Sequence, residues 1–143
     1  MSSSVNVLKR VLIVNAASSV LLGALLIADT APLAELLLTD RAQIAGLDGA
    51  DVLRLLGIGL LPFAAFVYWA ARSALQSASV IRAIFFMDVA WVIASAGLLA
   101  AAPGVFTGIG ATAFAAVALS VAYFAYVEGR SLKRLGPQAA ATA

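Results

Sequence analysis

The apolar positions of this chain neither alternate in the manner of a half-buried strand nor form the narrow stripe of a surface helix; they run together in four blocks. The blocks are roughly Val11 to Ala28, Leu55 to Ala71, Ala83 to Ala102 and Ile109 to Val127. A helix rises 1.5 Å per residue, so about 20 apolar residues cross the hydrocarbon layer of a bilayer. Every block is close to that length and is fenced by charge or by helix breakers. Lys9 and Arg10 precede the first and Asp29 follows it. Arg54 and Arg72 flank the second, Arg82 precedes the third, and Glu128, Gly129 and Arg130 close the fourth. The pattern predicts an all-α fold: a polytopic membrane protein whose residues 1–143 form a single four-transmembrane-helix bundle.

The segments between the blocks predict the connections. Only Pro103, Gly104 and a few neighbours separate the third and fourth spans, which requires a tight antiparallel hairpin with Thr107 as N-cap of the fourth helix. The sizeable loop is external, residues 29–54. Within it, "DTAPLAELLLTD" predicts a short interfacial helix capped by Asp29 or Thr30 with Pro32 in its first turn. Leu33, Leu36 and Leu37 would then face the bilayer and Glu35 water. "DGAD", Asp48 to Asp51, supplies an acidic start to the second span. The tail, about 136–143, has no pattern and is expected to be disordered. Gly23 with Ser19, and Gly57 with Gly59, mark close helix packing, and Pro62 marks a kink in the second span. No internal repeat is visible.

Charge orients the bundle. With the N-terminus inside, Lys9, Arg10, Arg72, Arg82, Arg130, Lys133 and Arg134 all fall on the cytoplasmic side, leaving Arg41 and Arg54 outside. Asp29, Glu35, Asp40, Asp48 and Asp51 all fall in the external loop. Both termini are therefore expected to be cytoplasmic. A cleaved signal peptide is the competing reading of the first block, but the run is long for one, contains Asn15, and no cleavage triplet follows it.

Composition agrees: 64% of residues are hydrophobic and 11% charged, and the mean hydropathy is +1.06. Cysteine and histidine are both absent, which removes disulfides, the usual zinc and haem ligands, thiol nucleophiles and imidazole acid-base chemistry. No cofactor, metal site or catalytic constellation is expected, so the chain does not read as an enzyme. The net charge of +2 is accounted for by topology, and no basic stripe interleaved with aromatics points to nucleic acid. The expected partners are the lipid bilayer and either another membrane protein or a second copy as a homodimer.

The chemistry that remains sits inside the blocks. Asp88 lies six residues beyond Arg82, Asn15 five beyond Arg10, Tyr68 four before Arg72 and Tyr123 five before Glu128. Each span thus offers one polar group at a common depth of about 6 to 9 Å. An ionised carboxylate in hydrocarbon is costly, so Asp88 is expected to face the bundle, with Asn15, Tyr68 and Tyr123 as hydrogen-bonding company and Arg72 or Arg82 as charge partners.

Three functions fit these features. The one the features favour first is an accessory or interaction subunit of a larger membrane complex, in which Asp88 is a structural hydrogen-bonding residue. Another is a homo-oligomeric transporter of small molecules, coupled to protons or cations through Asp88. The last is a binder of lipid or a lipophilic cofactor, with Phe85, Phe86, Trp91, Phe114 and Phe124 lining an apolar cleft. Small multidrug exporters share the size and the single membrane acid, but here the acid is in the third span instead of the first. "LLGIGLLPFAAFVYWAAR", Leu55 to Arg72, followed by a span bearing "DVAWVIAS", resembles small four-span integral membrane proteins of bacteria. That resemblance implies a bacterial inner (plasma) membrane and carries no activity with it.

Overall fold

In the computed structural model, which describes residues 3–40 and 42–140, all four apolar blocks are helical: α1 (Ser3–Ala28), α3 (Gly49–Ser73), α4 (Ala78–Ala101) and α5 (Gly108–Ala140). These four are long and apolar enough to cross a membrane. Three of them begin well outside their apolar blocks, because a helix ends where its terminal backbone groups find other partners and not where hydropathy falls. At the start of α3, for example, the Asp48 carboxylate accepts a hydrogen bond from the Ala50 amide at 3.0 Å, the expected acidic cap. Helix α5 runs on to Ala140 through Gly136 and Pro137, where a disordered tail was expected. Extending a formed helix is cheap, and its last three residues, Gln138, Ala139 and Ala140, are helix-favouring. Arg41 and residues 141–143 lie outside the described residues.

Helix α2 (Thr30–Leu37) fills the expected position in the loop, but its details depart from the pattern. The Asp29 side chain makes no capping bond, and the Thr30 hydroxyl turns back to the Leu26 carbonyl at 2.5 Å. Thr30 therefore continues the line of α1 instead of starting a free helix. Glu35 and Leu36 are exposed as expected, but Leu33 and Leu37 are half-buried. The reason lies across the bundle, where α2 docks on the α4–α5 turn. The Thr107 amide donates to the Leu37 carbonyl at 3.0 Å, the Thr107 hydroxyl to the Leu36 carbonyl at 2.7 Å, and the Thr39 hydroxyl to the Gly104 carbonyl at 2.9 Å. Thr107 also accepts from the Gly110 amide at 3.0 Å, the N-cap expected of it. Between α2 and α3 lies a two-residue hairpin that the pattern did not predict, β1 (Gln43–Ile44) antiparallel to β2 (Leu47–Asp48). Its turn puts Ala45 and Gly46 at φ 53° and 80°, a geometry usually marked by Asn-Gly and here disguised by alanine.

The helices associate as two pairs, α1 with α3 and α4 with α5, joined mainly by α1 against α5. Facing glycines set the first pairing: a Cβ on Gly57 would lie 2.8 Å from the Gly23 carbonyl oxygen, and one on Gly23 3.0 Å from that of Gly57. A dry core closes the end of the bundle that carries Lys9, Arg72, Arg82 and Arg130. It is built from Leu8, Leu12 and Ala16 of α1, Val67, Ala70 and Ala71 of α3, and Ile81 and Ile84 of α4. Towards the other end the two pairs separate, and the site lies where they begin to do so.

Candidate functional site: a buried carboxylate pair beneath an apolar cleft

One turn beyond Ile84, α4 presents Asp88 to the interior, where it is 2% exposed. One turn beyond Leu12, on the same inward face of α1, stands Asn15, also 2% exposed. The Asn15 Nδ2 donates to Asp88 Oδ2 at 2.8 Å, a charge-assisted length. Behind it the Ser19 hydroxyl lies 3.5 Å from Asn15 Oδ1, at the limit of a bond. The Asn15 amide is thus oriented with its donor end towards Asp88, which makes it a ready partner for a carboxylate.

The third member comes from α5: Glu128, which in the sequence marks the end of the fourth span. Glu128 is fully buried, and neither carboxylate oxygen has a hydrogen-bond partner. Its carboxylate lies within Coulombic reach of Asp88 and near the Asn15 side chain, short of bonding geometry. A signal was available. Five of the seven acids belong to the loop 29–54, and Glu128 is the only acid in a terminal segment otherwise basic. It also falls three and four residues after Ala125 and Phe124, both buried, and so on the inward face of α5. The two acids that topology leaves over are the two that the fold brings together.

The two tyrosines are not part of this layer. Tyr68 is 49% exposed and Tyr123 58%. The inward face of α3 is Gly57, Ala64, Val67 and Ala71, and the close approach of α1 leaves small side chains there; Tyr68 turns outward and its hydroxyl accepts from Arg72 Nη1 at 3.2 Å. On α5 the inward face is set by Phe124 and Glu128, about 100° round from Tyr123. Neither expected cation reaches the carboxylates. Arg72 lies over the Tyr68 ring, 5.8 Å from its centre, and Arg82 is exposed. Arg130 repeats the outward arrangement on Tyr126, at 2.8 Å.

Above the carboxylates the separation of the helix pairs leaves a cleft of about 630 Å³ with walls from all four long helices. Asn15, Ser18, Ser19 and Asp88 make one polar corner of it, and the remaining lining is chiefly aliphatic and aromatic. Of the five aromatics expected to line a cleft, Trp91 and Phe124 do so, joined by Phe63. Phe85 packs on Gly129, Phe86 points outward with 60% exposure, and Phe114 meets Trp91 edge-on and stacks on Phe106.

A bare carboxylate ion among apolar side chains, with no donor on either oxygen, costs several kcal/mol, so such a group carries a proton or a cation or finds a donor. Two of them a short distance apart, with one amide between, form a site that can accept a single positive charge from either source. Among the described residues no group of three or more acidic side chains suited to a metal ion occurs. Comparison with family models, curated proteins and solved structures finds no match.

Proposed function

We propose that this is a multi-pass protein of the bacterial inner membrane, both termini cytoplasmic, that couples the binding of a small molecule to exchange of a proton or cation at Asp88, Asn15 and Glu128. Glu128 carries this reading. A residue that serves as glue between helices does so by hydrogen bonding; the Asn15–Asp88 bond fits that role, but Glu128, fully buried with both oxygens unbonded, does not. An accessory subunit has no use for an acid that costs stability and accepts no hydrogen bond among the described residues, whereas an exchange site needs a group whose charge must be answered by something mobile. The basic residues gathered at the dry-core end support the cytoplasmic assignment of that end. The cleft beside Asp88, walled by all four long helices, supports small-molecule binding.

The test is infrared difference spectroscopy of the full chain in lipid nanodiscs as pH is stepped. A carboxylic C=O band that gains and loses intensity, and is altered by both Asp88→Asn and Glu128→Gln, is expected. A spectrum with no titrating carboxyl, or one unchanged by both substitutions, overturns the reading.

A further inference from the structure

We infer that the cleft takes an amphiphilic organic cation, its charged end against Asp88 and its apolar body between the two helix pairs. The inference rests on the exchange reading above and names its substrate class. The cleft's volume is that of a site for a small organic ligand, and among the described residues Asp88 is the only charged side chain in its lining. Ser18 and Ser19 add hydroxyl oxygens at the same corner, and among the described residues no lysine or arginine lines the walls. An anionic head group would meet a carboxylate there with no cation to answer it; a cationic one would supply the charge that the Asp88–Glu128 pair lacks. Trp91, Phe63 and Phe124 put aromatic surface on the walls, which attracts organic cations further. At the rim, Leu21 and Met87 are 72% and 47% exposed, so the cleft opens on the apolar flank of the bundle, the side from which a membrane-soluble ligand enters. The groups facing Asp88 are Asn15 from α1 and Glu128 from α5, while α3 contributes apolar lining such as Phe63. The exchange is therefore written with one charge: the cation enters, the carboxyl pair gives up one proton, and the net charge of the site is unchanged.

Tetraphenylphosphonium and tetraphenylborate have the same shape and opposite charge, which makes them the probes. Binding of each to the full chain in nanodiscs is measured by calorimetry against protein-free nanodiscs, with proton release followed in weakly buffered solution. The cation is expected to bind at least about a hundredfold more tightly than the anion and to release about one proton. Asp88→Asn is expected to weaken it at least about tenfold. Gly59→Phe supplies the second variant. Gly59 lines the cleft, a Cβ there meets no atom within 4 Å, and the carboxylates are untouched, so the new ring fills the cleft and weakens the cation by a similar factor. Equal binding of both probes, or cation binding indifferent to Asp88→Asn and Gly59→Phe, overturns the inference. If neither probe binds while the carboxyl band still titrates, the substrate class falls and the exchange site stands. If the band does not titrate, both fall.

Discussion

Asn15 and Asp88 stand 73 positions apart in the chain and are joined by a 2.8 Å hydrogen bond from the amide of one to the carboxylate of the other. The bond ties α1 to α4, two helices from different pairs. Cutting it from one side leaves a buried carboxylate without its donor, which costs about 1 to 3 kcal/mol. Asn15→Leu is therefore expected to lower stability by that amount in chemical or thermal unfolding of the lipid-embedded protein. Replacing both partners, Asn15→Leu with Asp88→Leu, removes donor and acceptor together and is expected to recover most of the loss. A double variant as unstable as the sum of the singles would show that the bond is not what the two residues share.

Glu128 is expected to behave in the opposite way. Neither of its oxygens has a hydrogen-bond partner among the described residues and it is fully buried, so exchanging it for an apolar side chain of similar size removes a cost. Glu128→Leu should leave stability unchanged or raise it by about 1 to 4 kcal/mol, while the titrating carboxyl signal and the cation-linked proton release are lost. Stability and exchange moving apart in this variant, measured by unfolding and by proton release on the same preparation, distinguishes an exchange residue from a structural one. A loss of more than about 1 kcal/mol would assign Glu128 a structural role instead.

Those two residues also show where the sequence was legible and where it was not. The four long helices, the short loop helix, the Asp48 and Thr107 caps and the inward turn of Asp88 onto Asn15 follow from block length, breakers and depth counting, because each depends on residues near one another or on one coordinate along a helix axis. Tyr68, Tyr123 and Glu128 depended on the rotation of a helix about its axis. In apolar blocks that signal is faint, since lipid-facing and buried positions carry the same side chains. A polarity-guided face put Tyr123 inside and left Glu128 as a boundary marker; packing put Phe124 inside and, one turn on, Glu128 with it. The β1–β2 turn escaped for a different reason, alanine holding a φ of 53° that favours other residues.

The contrast between Gly57 and Gly59 extends the same point to energetics. Both were read as packing glycines, yet only Gly57 has a neighbour that forbids a side chain, the Gly23 carbonyl and the Ile27 and Leu26 side chains at 2.8 to 3.0 Å from a built Cβ. Gly57→Leu is expected to cost about 1 to 3 kcal/mol through overpacking of α1 against α3. Gly59→Leu places its side chain in open space and replaces a residue that weakens helix interiors, so it should be neutral or stabilising by about 0.5 to 1 kcal/mol. Parallel unfolding of the two variants checks the assignment, and the same order of stability for both would mean that α1 and α3 do not meet at these glycines.

Thr107 carries the connection between α2 and the start of α5. Its hydroxyl caps α5 through the Gly110 amide at 3.0 Å while donating to the Leu36 carbonyl at 2.7 Å, so a single side chain starts one long helix and holds α2 onto it. Thr107→Val keeps the shape and removes both bonds, with an expected cost of about 1 to 2 kcal/mol, and Thr107→Ser should restore most of it. Gly110→Ala strikes the same joint by another route, because a Cβ there would overlap the Leu37 carbonyl and force α2 away from α5. Hydrogen exchange separates this local effect from general damage. Both Thr107→Val and Gly110→Ala should speed exchange at the amides of Leu38, Thr39 and Thr107, which bond within or across this joint, and leave the amides around Leu12 and Ile84 in the dry core protected. Loss of protection in the core as well would mean that the joint is part of one cooperative unit with the carboxylate site, not a separable contact.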